Sequence, residues 1–89
     1  MLKIIFDPAK DAANIEKHGL SLAEAGSLVW ETAVTWPDTR RNYGELRMSA
    51  IGYIQRRLYF VAYVDCDIGR RIITLRKANP REYLRYAKT

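Results

Sequence analysis

An almost unbroken apolar segment, residues 58–65, most constrains how this 89-residue chain can fold. A strand with apolar side chains at consecutive positions is buried on both faces of its sheet. The segment therefore predicts a central strand that other parts of the chain cover on both sides. A chain of this length can build one core with little to spare, so we expect a single domain over residues 1–89.

Four further segments have the pattern of strands around this central one. A short β-branched run opens the chain, and another short run ends at Pro37-Asp38. A third segment alternates apolar and polar residues and reaches the central strand through a tight turn at residues 55–57, and the last follows a turn around Gly69. The predicted strands are residues 2–6, 33–36, 45–54, 58–65 and 71–77, in a mostly antiparallel sheet.

Two helix starts are marked by a polar cap followed by proline, at residues 7–8 and 79–80. The first helix is expected to end at Gly19, which can adopt the left-handed C-cap conformation. A capping box, Ser21-x-x-Glu24, predicts a second helix that ends near residue 30 and forms a helical hairpin with the first. The predicted order is β-α-α-β-β-β-β-α, an α+β domain whose sheet packs against that hairpin and a short C-terminal helix, residues 80–88.

The charge balance favours a polyanionic partner. Fifteen Lys and Arg residues stand against ten Asp and Glu residues, a formal net charge of +5. Because phosphate neutralisation supplies most non-specific affinity for nucleic acids, this excess indicates a nucleic acid or an acidic protein partner, with mere solubility as the alternative. No segment has the length of a membrane span or the pattern of a signal peptide, so we expect a cytoplasmic protein without membrane contact.

The residues that could hold a metal are few and scattered. Cys66 is the only cysteine and His18 the only histidine, so neither a disulfide nor a zinc site is expected. The carboxylates of the second half are dispersed, whereas a metal-dependent nuclease needs them clustered. Metal-free cleavage of RNA needs only a base, an acid and cations, because the 2′-hydroxyl is itself the nucleophile. We therefore expect no metal and no cofactor.

Polar side chains that suit this chemistry fall into four groups, each on one predicted element. They are Lys10, Asn14, Lys17 and His18 on one stripe of the first helix, Glu45 with Arg47 on one strand face, Arg71 and Arg76 at the two ends of the last strand, and Glu82 with Tyr86 on one face of the last helix.

Structural roles compete with functional ones in each group. Regular alternation would place Arg71 and Arg76 on opposite faces of the sheet. The lysines of the first helix can be solvated surface charges. Asn14 and His18 can simply hydrogen-bond the helical hairpin, and Glu82 can serve only as a capping residue.

Short motifs spread over almost the whole chain carry a family resemblance. They are Asp7-Pro8-x-Lys10, Asn14-x-x-Lys17-His18-Gly19-Leu20-Ser21, Glu24-Ala25, Asp38, Tyr43-Gly44-Glu45-x-Arg47, Gly52, Tyr63, Arg71-Ile72-Ile73, Arg76-Lys77-Ala78, Glu82 and Tyr86. In this order they resemble the BrnT family of toxins of type II toxin–antitoxin systems, a match far more specific than any single motif.

The resemblance implies a RelE-like fold and a bacterial ribonuclease toxin that inhibits translation. It also implies a cognate DNA-binding antitoxin, which we expect to be a ribbon-helix-helix protein, in an assembly of two toxins with an antitoxin dimer that represses its own operon. The candidate residues are, for catalysis, His18, Glu45, Arg47, Arg76 and Tyr86, and, for substrate binding, Lys10, Lys17, Arg71 and Lys77.

Two functions from different classes follow. In the first, a metal-independent endoribonuclease, Glu45 or His18 is the base, and Arg47 and Arg76 stabilise the phosphorane. His18 or Tyr86 then assists the leaving group. In the second, the chain is a non-catalytic module that binds the antitoxin and acts as co-repressor, with an edge strand and the basic C-terminal helix as its interface.

Overall fold

Five strands form one mixed sheet in the computed structural model, which describes residues 2–89. The strand order is β1-β5-β4-β3-β2, with β1 parallel to β5 and the other neighbouring pairs antiparallel. Two α-helices accompany the sheet, α1 before β2 and α2 after β5. The bounds are β1 Ile4–Ile5, α1 Pro8–His18, β2 Val34–Pro37, β3 Met48–Ile54, β4 Arg57–Cys66, β5 Gly69–Lys77 and α2 Pro80–Ala87.

Strand β4 lies at the centre of the sheet and is covered on both faces, as its apolar sequence predicts. One face packs against the segment after α1, through Leu22, Ala25 and Leu28. The other face packs against Ala78, which precedes α2, and against Tyr86 of α2, around Ile51 and Leu58. We call this second side the α2 face. Within residues 2–89, no helix is long and apolar enough to cross a membrane.

The caps of both α-helices form as predicted. The Asp7 carboxylate accepts a hydrogen bond from the Ala9 N–H, and α1 ends at Gly19, whose φ of 73° is left-handed. At the start of α2, the Asn79 side chain accepts from the Glu82 N–H while the Glu82 carboxylate accepts from the Asn79 N–H. This reciprocal capping box fixes the direction in which α2 leaves the sheet.

The second helix of the predicted hairpin is not an α-helix. The chain forms two short 3₁₀ helices instead, Leu22–Ser27 and Trp30–Thr32. The Trp30 indole N–H donates to the Ala25 carbonyl, which an α-helix would pair with the Val29 N–H. The Val29 N–H donates to the Tyr53 carbonyl of β3 instead. Tertiary hydrogen bonds therefore take the groups that an α-helix would need.

Strand β3 begins at Met48, three residues later than the predicted start at Glu45. Residues 38–47 form a loop whose two ends are joined by a hydrogen bond from the Asp38 N–H to the Arg47 carbonyl, 2.8 Å long. Glu45 and Arg47 therefore lie on this loop, just outside the sheet.

Strand β5 contains a β-bulge that its sequence does not predict. Opposite β4, Ala62 pairs with Thr74 and Tyr63 pairs with Ile72, so Ile73 is an extra residue without a partner. A bulge of this kind shifts the in–out alternation of its strand by one position.

The bulge brings Arg71 and Arg76 to the same face of the sheet. Arg71 pairs with Val64 and Arg76 pairs with Phe60, and these two positions of β4 are separated by an even number of residues. Both arginines therefore lie on the α2 face, and the expectation of opposite faces is wrong. The four-residue separation on β4 places them roughly 13 Å apart along the sheet.

Candidate functional site

A cleft opens on the α2 face between β2, β5 and the first turn of α2. Its volume is about 290 Å³. We call it the Arg76 cleft; it is lined by Trp36, Pro37, Asp38, Thr39, Arg40, Ser49, Phe60, Arg76 and Glu82.

The Arg76 guanidinium is held on two sides. Its Nη1 and Nη2 donate to the two carboxylate oxygens of Glu82, at 2.8 and 2.9 Å. Its Cζ lies 4.2 Å from the centroid of the Phe60 ring. The side chain is still 29% exposed, so one part of the cation reaches the cleft. A bidentate partner and an aromatic platform fix the plane of the guanidinium, which is the arrangement used to bind phosphate or carboxylate.

Glu82 remains ionised in this position. Burial alone would raise the pKa of its carboxyl, but the hydrogen bonds from Arg76 and from the Asn79 N–H outweigh burial, so the pKa lies below its usual value. The same carboxylate thus joins the helix cap to the cleft, and the placement of Arg76 depends on the docking of α2.

The opposite wall of the cleft is organised by Asp38. Its carboxylate accepts two hydrogen bonds from the Arg40 guanidinium, at 2.9 and 2.8 Å, and one from the Tyr43 hydroxyl, at 3.1 Å. The bonds from Arg40 hold the pKa of Asp38 well below its usual range, against the opposing effect of burial. This cluster ties down the loop that carries Glu45 and Arg47.

His18 lies at the edge of β5, one helical turn beyond Asn14. The Asn14 amide exchanges hydrogen bonds with both the N–H and the carbonyl of Leu75, and donates a third to the Leu20 carbonyl. Asn14 thereby docks α1 along the strand that carries Arg76. The pKa of His18 is lowered by partial burial and by the positive charges of Lys17 and Arg76, so its imidazole is neutral at pH 7.

The lysines of the polar stripe lie beside His18. Lys10 and Lys17 line a shallow cavity of about 220 Å³ together with Asn14, His18 and Thr74. This stripe of α1 is therefore intact, with Asn14 facing the sheet and the lysines facing solvent.

A second cationic cluster lies at the other end of the α2 face. Arg71 Nη2 donates to Glu45 Oε2 at 2.7 Å, which joins β5 to the loop before β3 across the width of β4. The Arg47 guanidinium stacks on the Tyr43 ring at 3.8 Å, and Arg47 Nε is buried without a hydrogen-bond partner among the described residues. Glu45 and Arg71 are thus in contact with each other and apart from Arg76, while Arg47 lies on the same loop as Glu45, against Tyr43.

Tyr86 and Lys77 lie outside the Arg76 cleft, the polar stripe of α1 and the second cationic cluster. Tyr86 packs edge-on against Tyr53, with ring centroids 5.5 Å apart, beside the core of the α2 face. Lys77 is exposed at the end of β5. In residues 2–89, no cluster of three or more His, Cys, Asp or Glu side chains is placed to hold a metal ion.

Sequence reasoning did not identify Arg40 and Phe60 as residues of the cleft. Phe60 lies inside the apolar run of β4, where nothing distinguishes a cleft floor from a core position. Arg40 could have been suggested by its position two residues after Asp38, since short polar loops favour such local pairs.

The chain matches the family model described as ribonuclease toxin, BrnT, of type II toxin–antitoxin system, over residues 6–82. It is also similar to the crystal structure of the Brucella abortus ribonuclease toxin BrnT, at 26% sequence identity and a TM-score of 0.70. That similarity covers 89% of this chain and 99% of the Brucella chain. No curated protein gives a significant match. The family match covers most of the chain, which therefore belongs to the BrnT family of ribonuclease toxins of type II toxin–antitoxin systems.

Proposed function

We propose that this chain cleaves RNA in the Arg76 cleft without a metal ion, and that the cleavage inhibits translation in the cytoplasm. The observation that carries the proposal is the two-sided fixation of Arg76 by Glu82 and Phe60. A guanidinium held in one plane can accept a phosphate on its exposed edge, because carboxylate and phosphate present similar pairs of oxygens. The cation then neutralises the charge that develops on the phosphorane.

In this proposal His18 accepts the proton of the 2′-hydroxyl as that oxygen attacks the phosphate, and the imidazolium then gives a proton to the departing 5′-oxygen. Its lowered pKa keeps the imidazole neutral, and therefore able to accept a proton, at physiological pH. The positive charge of Arg76 is one of the causes that lower that pKa, which supports a role for both groups at one phosphate. Glu45 is a weaker candidate for the base because it is paired with Arg71, roughly 13 Å from Arg76 along the sheet.

We assign the remaining candidates to binding and support. Arg47 and Arg71 would hold a neighbouring phosphate, with Glu45 orienting Arg71. Lys10, Lys17 and Lys77 would bind the RNA backbone beside the β5 edge, and Tyr86 would support α2 through Tyr53.

The test is cleavage of RNA by the purified toxin in excess chelator. We expect products that end in a 2′,3′-cyclic phosphate, because the 2′-hydroxyl is the nucleophile. His18→Ala and Arg76→Gln, each shown to be folded, should lose most of the activity. Intact RNA with the wild type, or cleavage that stops on chelation, would overturn the proposal.

We further propose an antitoxin type, a stoichiometry and a fold type for this domain. Type II membership implies a protein antitoxin. We propose that this antitoxin is a ribbon-helix-helix protein, that two toxins bind one antitoxin dimer, and that the toxin fold is RelE-like. Co-expression followed by mass measurement in solution tests the stoichiometry, and a complex of one toxin chain with one antitoxin chain would contradict it.

A non-catalytic co-repressor is the second candidate function. The observation in its favour is an apolar strip on α2 in which Leu84 is 62% exposed, next to Tyr83 and Ala87. It predicts that the wild type and the Arg76→Ala and His18→Ala variants all leave growth unaffected while the complex still forms. Loss of growth arrest with the complex retained would exclude it.

A further inference from the structure

A second groove continues from the Arg76 cleft along α2. Its volume is about 600 Å³, and it shares Trp36, Arg40, Arg76 and Glu82 with the cleft. We call it the α2 groove. Beyond the shared residues, its walls carry Asn79, Arg81, Leu84, Arg85 and Lys88. A linear ligand that leaves the cleft on this side would lie along α2.

Three cations of the groove lie close together on α2. Arg81, Arg85 and Lys88 follow one another on a single face of α2, and none of them forms an ion pair within residues 2–89. Like charges four residues apart destabilise a helix, and Arg81 lies in the first turn, where the helix dipole favours anions. Arg85 and Lys88 lie at the end of the helix, where the dipole favours cations. The unfavourable interactions are therefore those of Arg81 with the dipole and of the cations with one another, and a bound anion would relieve both.

A series of aromatic rings and guanidinium groups joins the groove to the cleft. The Arg85 Cζ lies 3.7 Å from the Trp36 ring centroid, and Trp36 packs against Phe60 at 6.4 Å. The series ends at Arg76, whose guanidinium lies over the Phe60 ring. Aromatic and guanidinium planes next to cations are the means by which proteins bind single-stranded RNA, because each base offers a π-face. An acidic peptide would use the cations alone.

We propose that the α2 groove is an RNA subsite that binds the nucleotides on one side of the scissile phosphate. Arg81 and Lys88 contact backbone phosphates, and a base stacks against the Arg85–Trp36 pair. The inference rests on the proposed function, because it places the scissile phosphate at Arg76. It adds a ligand site that Arg76 and His18 alone do not supply.

Binding of a non-cleavable RNA tests the groove independently of catalysis. The probe is a fluorescent single-stranded decamer with 2′-O-methyl groups throughout. Arg81→Gln/Lys88→Gln should weaken binding by about tenfold and lower the slope of log Kd against log salt concentration by about 1.4, the value for two lost phosphate contacts to a single strand. Lys3→Gln/Arg56→Gln removes the same charge from exposed positions outside the groove and is the control. Equal losses in both variants, or none in either, would overturn the proposal.

Cleavage of RNAs of different length separates the subsite from the active site. The wild type should have a higher kcat/KM for a decamer than for a trimer. The ratio of the two kcat/KM values, decamer over trimer, should fall by about tenfold in the groove variant and stay unchanged in the control. If the wild type cleaves neither RNA, the proposed function fails while the binding assay still decides the groove. A groove variant that binds RNA like the wild type but no longer binds the antitoxin would overturn the RNA assignment and identify a protein interface.

Discussion

Arg76 and Glu82 join the last strand to the last helix through two parallel hydrogen bonds, Nη1 to Oε1 at 2.8 Å and Nη2 to Oε2 at 2.9 Å. The geometry matches the planar fork of a guanidinium to both oxygens of a carboxylate. The pair therefore fixes α2 and the cation of the cleft at the same time, so a substitution at either position should affect both activity and stability.

Arg76→Gln should lower kcat/KM for RNA by about 10²–10³-fold, the usual effect of removing one group that stabilises a charged transition state. Arg76→Lys should recover only part of this loss, because an ammonium keeps the charge but cannot form the fork. Arg56→Gln, at an exposed turn, is the matched control. Single-turnover cleavage is the measurement, and a lysine variant as active as the wild type would contradict the role of the fork.

Glu82→Ala should lower the free energy of unfolding by about 2–3 kcal/mol, because it removes charge-assisted hydrogen bonds and one half of the capping box. Glu82→Gln keeps an oxygen that can accept from the Asn79 N–H, so it should lose less. Urea unfolding of the single and double variants of Arg76 and Glu82 gives their coupling energy. A coupling below about 0.5 kcal/mol would mean that the pair does not hold α2.

The pH dependence of cleavage should report His18. If neutral imidazole is the base, kcat/KM rises with pH and levels off, with a midpoint below the ordinary histidine pKa of about 6.5. Lys17→Gln removes one of the positive charges that lower this pKa, so the midpoint should move to higher pH. A midpoint that does not move, in a variant with unchanged folding, would assign the titration to another group.

The sequence predicts the caps and the central strand of this fold because those features depend on residues near one another in the chain. Pro8 and Gly19 set the ends of α1 through backbone conformation alone. The second helix is mispredicted because Trp30 and Val29 find partners elsewhere, one of them in β3. A capping pattern depends only on neighbouring residues, so it cannot show that these tertiary hydrogen bonds replace those of an α-helix.

The site is predicted by residue type but not by arrangement. The bulge at Ile73 puts Arg71 on the same face of the sheet as Arg76. The bulge arises from the pairing of two whole strands, β4 and β5. Similarly, Asn14 has equal grounds for a substrate role or a structural role until its contacts with Leu75 are known. Long-range register and long-range hydrogen bonds are the information that sequence patterns lack.

Asn14→Asp should be more damaging than its small change in size suggests. Asn14 donates to the carbonyls of Leu75 and Leu20 and accepts from the Leu75 N–H, all with little exposure to water. A carboxylate cannot donate, so it leaves both carbonyls without this donor and buries a charge. We expect a loss of about 3 kcal/mol in the free energy of unfolding by urea. A loss within about 0.5 kcal/mol would show that α1 does not depend on this docking.

Asp38 should make the stability of the toxin depend on pH in the acid range. Its pKa is far below normal in the folded protein, so its contribution is complete above the unfolded value of about 4 and declines as pH falls towards the folded value. Asp38→Asn should therefore cost about 2 kcal/mol at pH 7, and the difference from the wild type should shrink below about pH 4. Asp67→Asn, in the exposed turn before β5, should change stability by less than about 0.5 kcal/mol at any pH. Urea unfolding of the three proteins from pH 3 to pH 7 makes the comparison, and a difference between Asp38→Asn and wild type that is constant over this range would show that Asp38 is not held ionised by Arg40.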